Sequence, residues 1–456
     1  MAQPYYLVTA APKKLAKIAS YARKLTGKQQ GDPVLAVGSH RIVLMPAAVS
    51  RMIESAPTQP ITGFPPSFAE IMEGMGAQGA DPISESRLAE LLAAREPAEL
   101  AGIPRAELDD SDLVIDGWDW HLKRTRLVDA WGLVGSAERV DWKGLRVGQI
   151  DTGFREIPCL GFKGGQPSSF VLTDFDRNFF PGDFTRDPFQ YVGNPFASEF
   201  SALDPMLGGA NDGHGARTAS VLAGFDQDVD RPYFGAAPQL PFIPVRICDS
   251  VIINHVQGAL ALAIEHLVRH GCSVITLSMG MALTLIDDRL RKAIDYAYEN
   301  GVILVAAAGN VWDPVVAPAR LNRTLAVGGC TPALIPWIGS SFGPEVDLCA
   351  PAWPIRRPVV DRKGRQTYGY GDGTSFATPQ VAATAALWLL YRGEEIRARY
   401  PQKWQRVEAF KTLVKDTASA KGDWNREQYG EGILDAYAVL RADLPPADAL
   451  REDKPA

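Results

Sequence analysis

Long apolar runs are missing from this 456-residue chain. The most apolar segments, VILVAAAG (302–309) and VAATAALWLLY (381–391), fall far short of the roughly 20 residues that span a bilayer, so no membrane partner is expected. Charge of one sign is scarce too: the net charge is −6, and no run of lysine and arginine is interleaved with aromatic residues. That excludes the basic surface a nucleic-acid partner requires. The five cysteines, Cys159, Cys248, Cys272, Cys330 and Cys349, form no CxxC pair and are odd in number, which argues against a disulfide framework or a zinc knuckle. The opening MAQPYYLVTAAPKKLAK puts its positive charges after a short apolar stretch, the reverse of a secretory signal. A cytoplasmic protein with buried free thiols is the expectation.

What is there is a chain that is 46% hydrophobic, enough to bury a large core, with a length that suggests two or three domains. Residues 1–117 read as a small α/β domain with a linker. PYYLVTA is a strand, KKLAKIASYARKLT an amphipathic helix, VLAVG and RIVLM a hairpin around Ser39 and His40, and a further helix starts at Ala47. From Gln59 to about Asp110 the chain is rich in Pro, Gly, Ala and Glu, with short helical patterns at IMEGM and SRLAELLAAREPAELA, and reads as the linker.

From Trp118 the pattern changes. LRVGQID, LPFIPVRI, SVITLSMG, VILVAAAGN and TLAVGGC alternate with the helical VQGALALAIEHLVRHG and LRKAIDYAYENG. Short apolar runs between amphipathic helices predict a parallel sheet covered on both faces, a three-layer α/β domain over residues 118–444. Gly271 and Gly301 follow the two helices as C-cap glycines. The tail, residues 445–456, is proline-rich and charged, a composition that predicts disorder.

In open parallel sheets, reactive groups collect where strands end and helices begin. Four junctions stand out: Asp151 in IDTG, His214 in GHG, Asn310 after VILVAAAG, and Ser375 in GDGTSFATP ahead of the last long helix. Each has a plain reading on its own. Asp151 is a turn residue, His214 a surface histidine, Asn310 a left-handed backbone position and Ser375 a helix cap. Together they supply the parts of serine acyl transfer. A serine hydroxyl is a weak nucleophile that needs a histidine to take its proton, and the histidine needs a carboxylate to fix its tautomer. The tetrahedral intermediate needs fixed donors, which the Asn310 amide and the Ser375 N–H at a helix N-terminus would provide.

With these motifs in the order Asp, His, Asn, Ser, the chain resembles the subtilase family, whose triad follows that order. The resemblance rests on VGQIDTG (147–153), DGHGARTASVLAG (212–224), ITLSMG (275–280), VAAAGN (305–310), PARLNRTLAVGG (318–329), SSFGPEVDLCAPA (340–352) and GDGTSFATPQVAATAAL (371–387). It covers roughly Trp118 to Leu444. It implies a subtilisin-type fold and a serine endopeptidase with Asp151 as orienting carboxylate, His214 as base and acid, Ser375 as nucleophile and Asn310 as oxyanion donor. By the same resemblance Ser278, Met279 and Gly280 pair with an extended peptide or protein substrate, and Ala307, Ala308 and Gly309 floor the pocket for the residue before the cleaved bond. Their small size predicts a roomy apolar pocket. No cofactor is required; structural calcium occurs in the family, but no contiguous acidic loop assigns its ligands here. The first 117 residues match the general shape of a family propeptide, an intramolecular inhibitor, with a retained regulatory domain as the alternative.

The chain departs from the family pattern with Gln380 and Ala383 where many members have His and Gly. The 63 positions between Asp151 and His214 also hold an insertion, FKGGQPSSFVLTDFDRNFFPGDFTRDPFQYVGNP, expected to border the cleft. Rival readings are weaker. His266 and His270 in HLVRH lack the glutamate of the helical zinc motif, since Leu267 stands there, and they suit a helix C-terminus. A peptide transpeptidase or macrocyclase on the same fold stays open, because an amine can capture the acyl-enzyme in place of water. A catalytically inactive binding module is disfavoured by the four filled positions.

Overall fold

A computed structural model describes residues 119–456 apart from 137–139, 181–197, 205–210, 212, 228, 230, 282–284, 311–314, 361–365, 421 and 423; before them it describes Ile18 and four strands. The chain parts between Gly117 and Trp118 into two compact units.

The first unit contains an antiparallel sheet of β1 (Tyr5–Thr9), β2 (Val34–Ala36), β3 (Arg41–Leu44) and β4 (Gly79–Ile83), in the order β2-β3-β1-β4. The expected hairpin is β2 with β3, Val34 opposite Leu44. Ile18, in the expected first helix, is helical and fully buried. The helices expected from Ala47, at 71–75 and at 86–101 lie outside the described residues. One difference falls in the expected linker: GADPI forms β4, antiparallel to β1 with Tyr5 opposite Ile83. Glycine and proline disfavour a strand locally, and pairing to β1 overrides them.

The second unit runs through α1 (Trp120–Arg124), α2 (Leu127–Val134), β5 (Val147–Asp151), β6 (Arg177–Asn178), α3 (His214–Ala223), β7 (Phe225–Asp226), β8 (Tyr233–Phe234) and β9 (Phe242–Arg246). It continues with α4 (Gln257–Arg269), β10 (Val274–Leu277), α5 (Asp288–Glu299), β11 (Ile303–Ala307), β12 (Thr324–Cys330), β13 (Leu348–Pro351), β14 (Ile355–Val360), β15 (Gln366–Gly371), α6 (Thr374–Arg399) and α7 (Lys403–Asp416). Seven strands form one parallel sheet in the order β13-β12-β11-β10-β5-β9-β6.

The strands read as continuous apolar runs because both faces are covered. Side chains alternate along each strand, so Ile303 and Val305 pack with Ala382 and Leu387 of α6, while Leu304 and Ala306 pack with α4 and α5 residues such as Ile264 and Ile294. Helix ends follow local chemistry: the Asp287 carboxylate accepts the Arg289 N–H at 2.7 Å to cap α5, and Gly301 turns the chain out of it with φ 72°.

All five cysteines are buried free thiols. His266 and His270 sit at the end of α4, where His266 Nε2 meets the Phe175 carbonyl at 2.7 Å and His270 Nδ1 the His266 carbonyl at 2.8 Å. Among the described residues no group of three His, Cys, Asp or Glu is arranged to hold a metal.

The tail departs from expectation. Residues 445–456 pack against the second unit: Tyr400 donates to the Pro445 carbonyl at 2.8 Å, Lys411 meets Asp453 at 2.8 Å and Arg323 meets Glu452 at 3.0 Å. Composition misled because Arg323 and Lys411 are buried cations that need anionic partners, and the tail's carboxylates supply them.

Candidate active site

Five chain segments meet here, the ends of β5, β10 and β11 and the starts of α3 and α6. Asp151 is the last residue of β5, and its side chain emerges buried at the carboxyl edge of the sheet. His214 opens α3, and its Nδ1 lies 2.7 Å from Asp151 Oδ1. The carboxylate accepts there, so in the neutral imidazole Nδ1 carries the proton and Nε2 the lone pair. Asp151 Oδ1 also accepts the Thr152 N–H at 2.7 Å, and Oδ2 accepts the Thr218 hydroxyl at 3.0 Å.

Behind this pair lie residues that the sequence reading did not single out. Gln149 Nε2 donates to Thr218 Oγ1 and to the Gly215 carbonyl, each at 2.8 Å. A chain of hydrogen bonds thus runs from Gln149 through Thr218 to Asp151 and His214. Both outer members were within reach of pattern: Thr218 is four residues past His214 on one helix face, and Gln149 is two before Asp151 on one strand face. Asp204, which follows the insertion in the chain, accepts the Gly213 N–H at 3.0 Å and the Thr152 hydroxyl at 3.3 Å, with Arg246 Nη1 3.8 Å from its other oxygen. It fixes the residue just before His214.

Ser375 is not the helix cap. Gly373 occupies that position with φ 142° and no side chain to cap with, and Ser375 is the second residue of α6. Its hydroxyl donates to the Ser278 carbonyl at 3.0 Å, while Ser278 Oγ donates to the Ser375 carbonyl at 2.9 Å. Among the described residues no hydrogen bond joins His214 to Ser375. The helices that carry them, α3 and α6, pack together.

Asn310 follows β11. Its carboxamide oxygen accepts both the N–H and the hydroxyl of Thr374, each at 2.9 Å, and these two donors fix which end of the amide is oxygen. The Nδ2 group is thereby turned to the other side. A Cβ placed on Gly373 would lie 3.4 Å from Asn310 Nδ2 and 3.6 Å from the Ser375 nitrogen, so the two nitrogens border the same side of Gly373. The Thr374 N–H is taken by Asn310 and the Phe376 N–H by the Gly373 carbonyl. The Ser375 N–H meets no acceptor among the described residues.

The expected substrate-facing residues lie at and just past the ends of β10 and β11. Gly280 already pairs with its own chain: its N–H donates to the Val251 carbonyl and its carbonyl accepts the Ile253 N–H, both at 3.0 Å. Met279 is buried, its sulfur 4.0 Å from Cys248 Sγ. Ala307 and Ala308 are buried, with the Ala308 N–H on the Val327 carbonyl and the Ala308 carbonyl on the Val316 N–H. The Val316 side chain lies against both glycines: a Cβ on Gly280 would overlap its Cγ2, and one on Gly309 would lie 3.0 Å from its Cγ1 and 2.9 Å from Ser341 Oγ. Gln380 and Ala383 are buried in α6, where Gln380 Nε2 donates to the Pro351 and Phe376 carbonyls at 2.8 and 2.7 Å.

Comparison with known proteins bears on the family and the fold. Residues 143–432 match the model of the subtilase family, Peptidase S8. The chain is 27% identical over 325 residues to Subtilisin Savinase of Lederbergia lenta, covering 71% of this chain and 98% of that one. It is equally similar to an alkaline protease of Shouchella clausii, covering 70% of that protein. The fold is also that of MycP1, solved with its N-terminal propeptide removed, at a TM-score of 0.52 and 21% identity over 72% of this chain and 98% of that one. With a family model spanning well over half its length, a parallel sheet in place and these junctions assembled at its edge, the chain belongs to the subtilase family.

Proposed function

We propose that this chain is a serine endopeptidase whose nucleophile is Ser375. The observation that carries the reading is the 2.7 Å contact from His214 Nδ1 to Asp151, which leaves Nε2 unprotonated on the side where a base is needed. Rotation of the Ser375 hydroxyl from the Ser278 carbonyl toward that nitrogen hands its proton to His214 as Oγ attacks the peptide carbonyl. The negative charge that develops on the carbonyl oxygen is met by Asn310 Nδ2 and the Ser375 N–H, both oriented before the reaction. The imidazolium, held by Asp151, protonates the leaving amine; water then hydrolyses the acyl-enzyme by the reverse sequence.

In the same reading the N-terminal unit is an intramolecular inhibitor, removed by the chain's own activity. Two mass measurements test both parts. Peptide incubated with the protein should yield hydrolysed ends; ligated or cyclic products in their place would favour the transpeptidase alternative. Intact wild type should shorten to begin near Trp118 while Ser375→Ala stays whole, and an unprocessed wild type with full activity would make the unit a retained regulatory domain.

A further inference from the structure

The stretch between Asp151 and His214, in the insertion and on both sides of it, lines a cavity of about 370 Å³. Its apolar walls include Phe154, Phe162, Phe200 and Leu203, and its carboxylates are Glu156 and Asp176. No lysine or arginine is among the described residues lining it. The volume suits one long side chain with room for water.

Asp176 is the odd group. Asp151 and Asp204, the other buried carboxylates of this region, have partners on both oxygens. Asp176 is 2% exposed; its Oδ2 accepts the Ala202 N–H at 2.8 Å, but its Oδ1 has no partner. The adjacent Arg177 does not supply one, because its guanidinium lies 4.9 Å over the Phe200 ring and donates to the Asp176 backbone carbonyl at 2.7 Å. Burial pushes the Asp176 carboxyl up to about 6, so near neutral pH it is an anion with an unfilled acceptor, an arrangement that is costly unless a cation or donor arrives.

The cavity is joined to the candidate active site by backbone. Phe154, three residues past Asp151, donates to the Ala202 carbonyl at 2.9 Å, and the Asp204 N–H donates to the Phe154 carbonyl at 2.8 Å. Asp204 in turn holds Gly213, the neighbour of His214. We propose that this cavity is a substrate pocket that takes a basic side chain, lysine or arginine, of the bound peptide, its aliphatic stem against the phenylalanine and leucine walls and its cationic head on Asp176. The assignment of the occupant as a peptide rests on the peptidase reading above; the chemistry of the pocket does not.

Two measurements separate these. Titrating Nα-acetyl-arginine and Nα-acetyl-lysine methylamides into the Ser375→Ala chain should show binding at least about tenfold tighter than the norleucine analogue, the scale of one hydrogen bond to a charged group. Asp176→Asn, which keeps an oxygen for the Ala202 N–H, should erase that difference, and Leu203→Trp at the exposed rim should block binding by filling the cavity. Equal binding of basic and norleucine amides, or basic binding unaltered by Asp176→Asn, overturns the pocket whether or not the protein is a peptidase. In the second measurement, arginine is walked through a peptide substrate of wild type. One position should be cleaved at least about tenfold better than its norleucine version, a ratio that Asp176→Asn returns toward one. Binding of the small amides with no position-dependent preference would make the cavity a site for free cations and overturn the substrate assignment. Failure of a fluorophosphonate to label Ser375 would count against the peptidase reading alone.

Discussion

Ser278 and Ser375 hold each other by two reciprocal hydrogen bonds, hydroxyl to carbonyl in both directions. The reason lies four residues further on. Pro379 sits inside α6 and has no N–H, so the Ser375 carbonyl loses its ordinary helical partner. Ser278 Oγ replaces it. Ser278→Ala is therefore expected to leave a buried carbonyl unsatisfied at about 1–3 kcal/mol, lowering Tm by about 1–2 °C per kcal/mol in a unit of this size. Adding Pro379→Ala restores the helical donor and should recover most of the loss. A Ser278→Ala melting point equal to wild type would contradict the role given to this pair.

Val316 occupies the space between Gly280 and Gly309. The account predicts that wild type favours small side chains just before the cleaved bond and that Val316→Ala admits larger ones. Cleavage of a phenylalanine-containing peptide should rise at least about tenfold relative to its alanine counterpart, the scale of a few methylenes. An unchanged ratio would place the pocket elsewhere.

Thr218 joins Gln149 to Asp151. Thr218→Val keeps the shape and removes the hydroxyl, freeing one carboxylate oxygen and loosening the imidazole. Expected is a fall in kcat of about tenfold with KM unaltered, since substrate does not touch Thr218, and recovery with Thr218→Ser. A fall in KM and kcat together, or no recovery with serine, would mark Thr218 as a packing residue only.

Asp176 gives a pH prediction for stability. Its carboxyl is raised from 3.8 to about 6 by burial, so between those values the native chain binds more protons than the unfolded one and stability falls as pH rises. Above about 6 the penalty is complete, on the order of 3 kcal/mol at most. Asp176→Asn should raise Tm at pH 7 and leave it unaltered near pH 4, read by melting curves across that range. A stabilisation independent of pH would assign the effect to packing.

The architecture was legible because both faces of the sheet are covered: strands such as SVITL and VILVAAA are apolar throughout, and the helices between them are amphipathic. The candidate site was legible because its members sit at strand and helix ends within short motifs. What stayed hidden depends on distance in the chain. Val316 reaches the Gly280 gap from beyond Asn310, and the Val251–Ile253 segment pairs with Gly280 from the loop before α4. Neither contact leaves a local pattern. The tail was misread for the same reason, since its carboxylates answer cations on distant elements, and β4 needed β1 beside it to be a strand.

The peptidase reading makes Ser375 the nucleophile, with His214 oriented by Asp151 as its base. Fluorophosphonate labelling of wild type and of Ser375→Ala, with folding checked by circular dichroism, tests it most directly. The account predicts that wild type is modified on Ser375 and that the folded Ser375→Ala chain is not; equal labelling of both would contradict it.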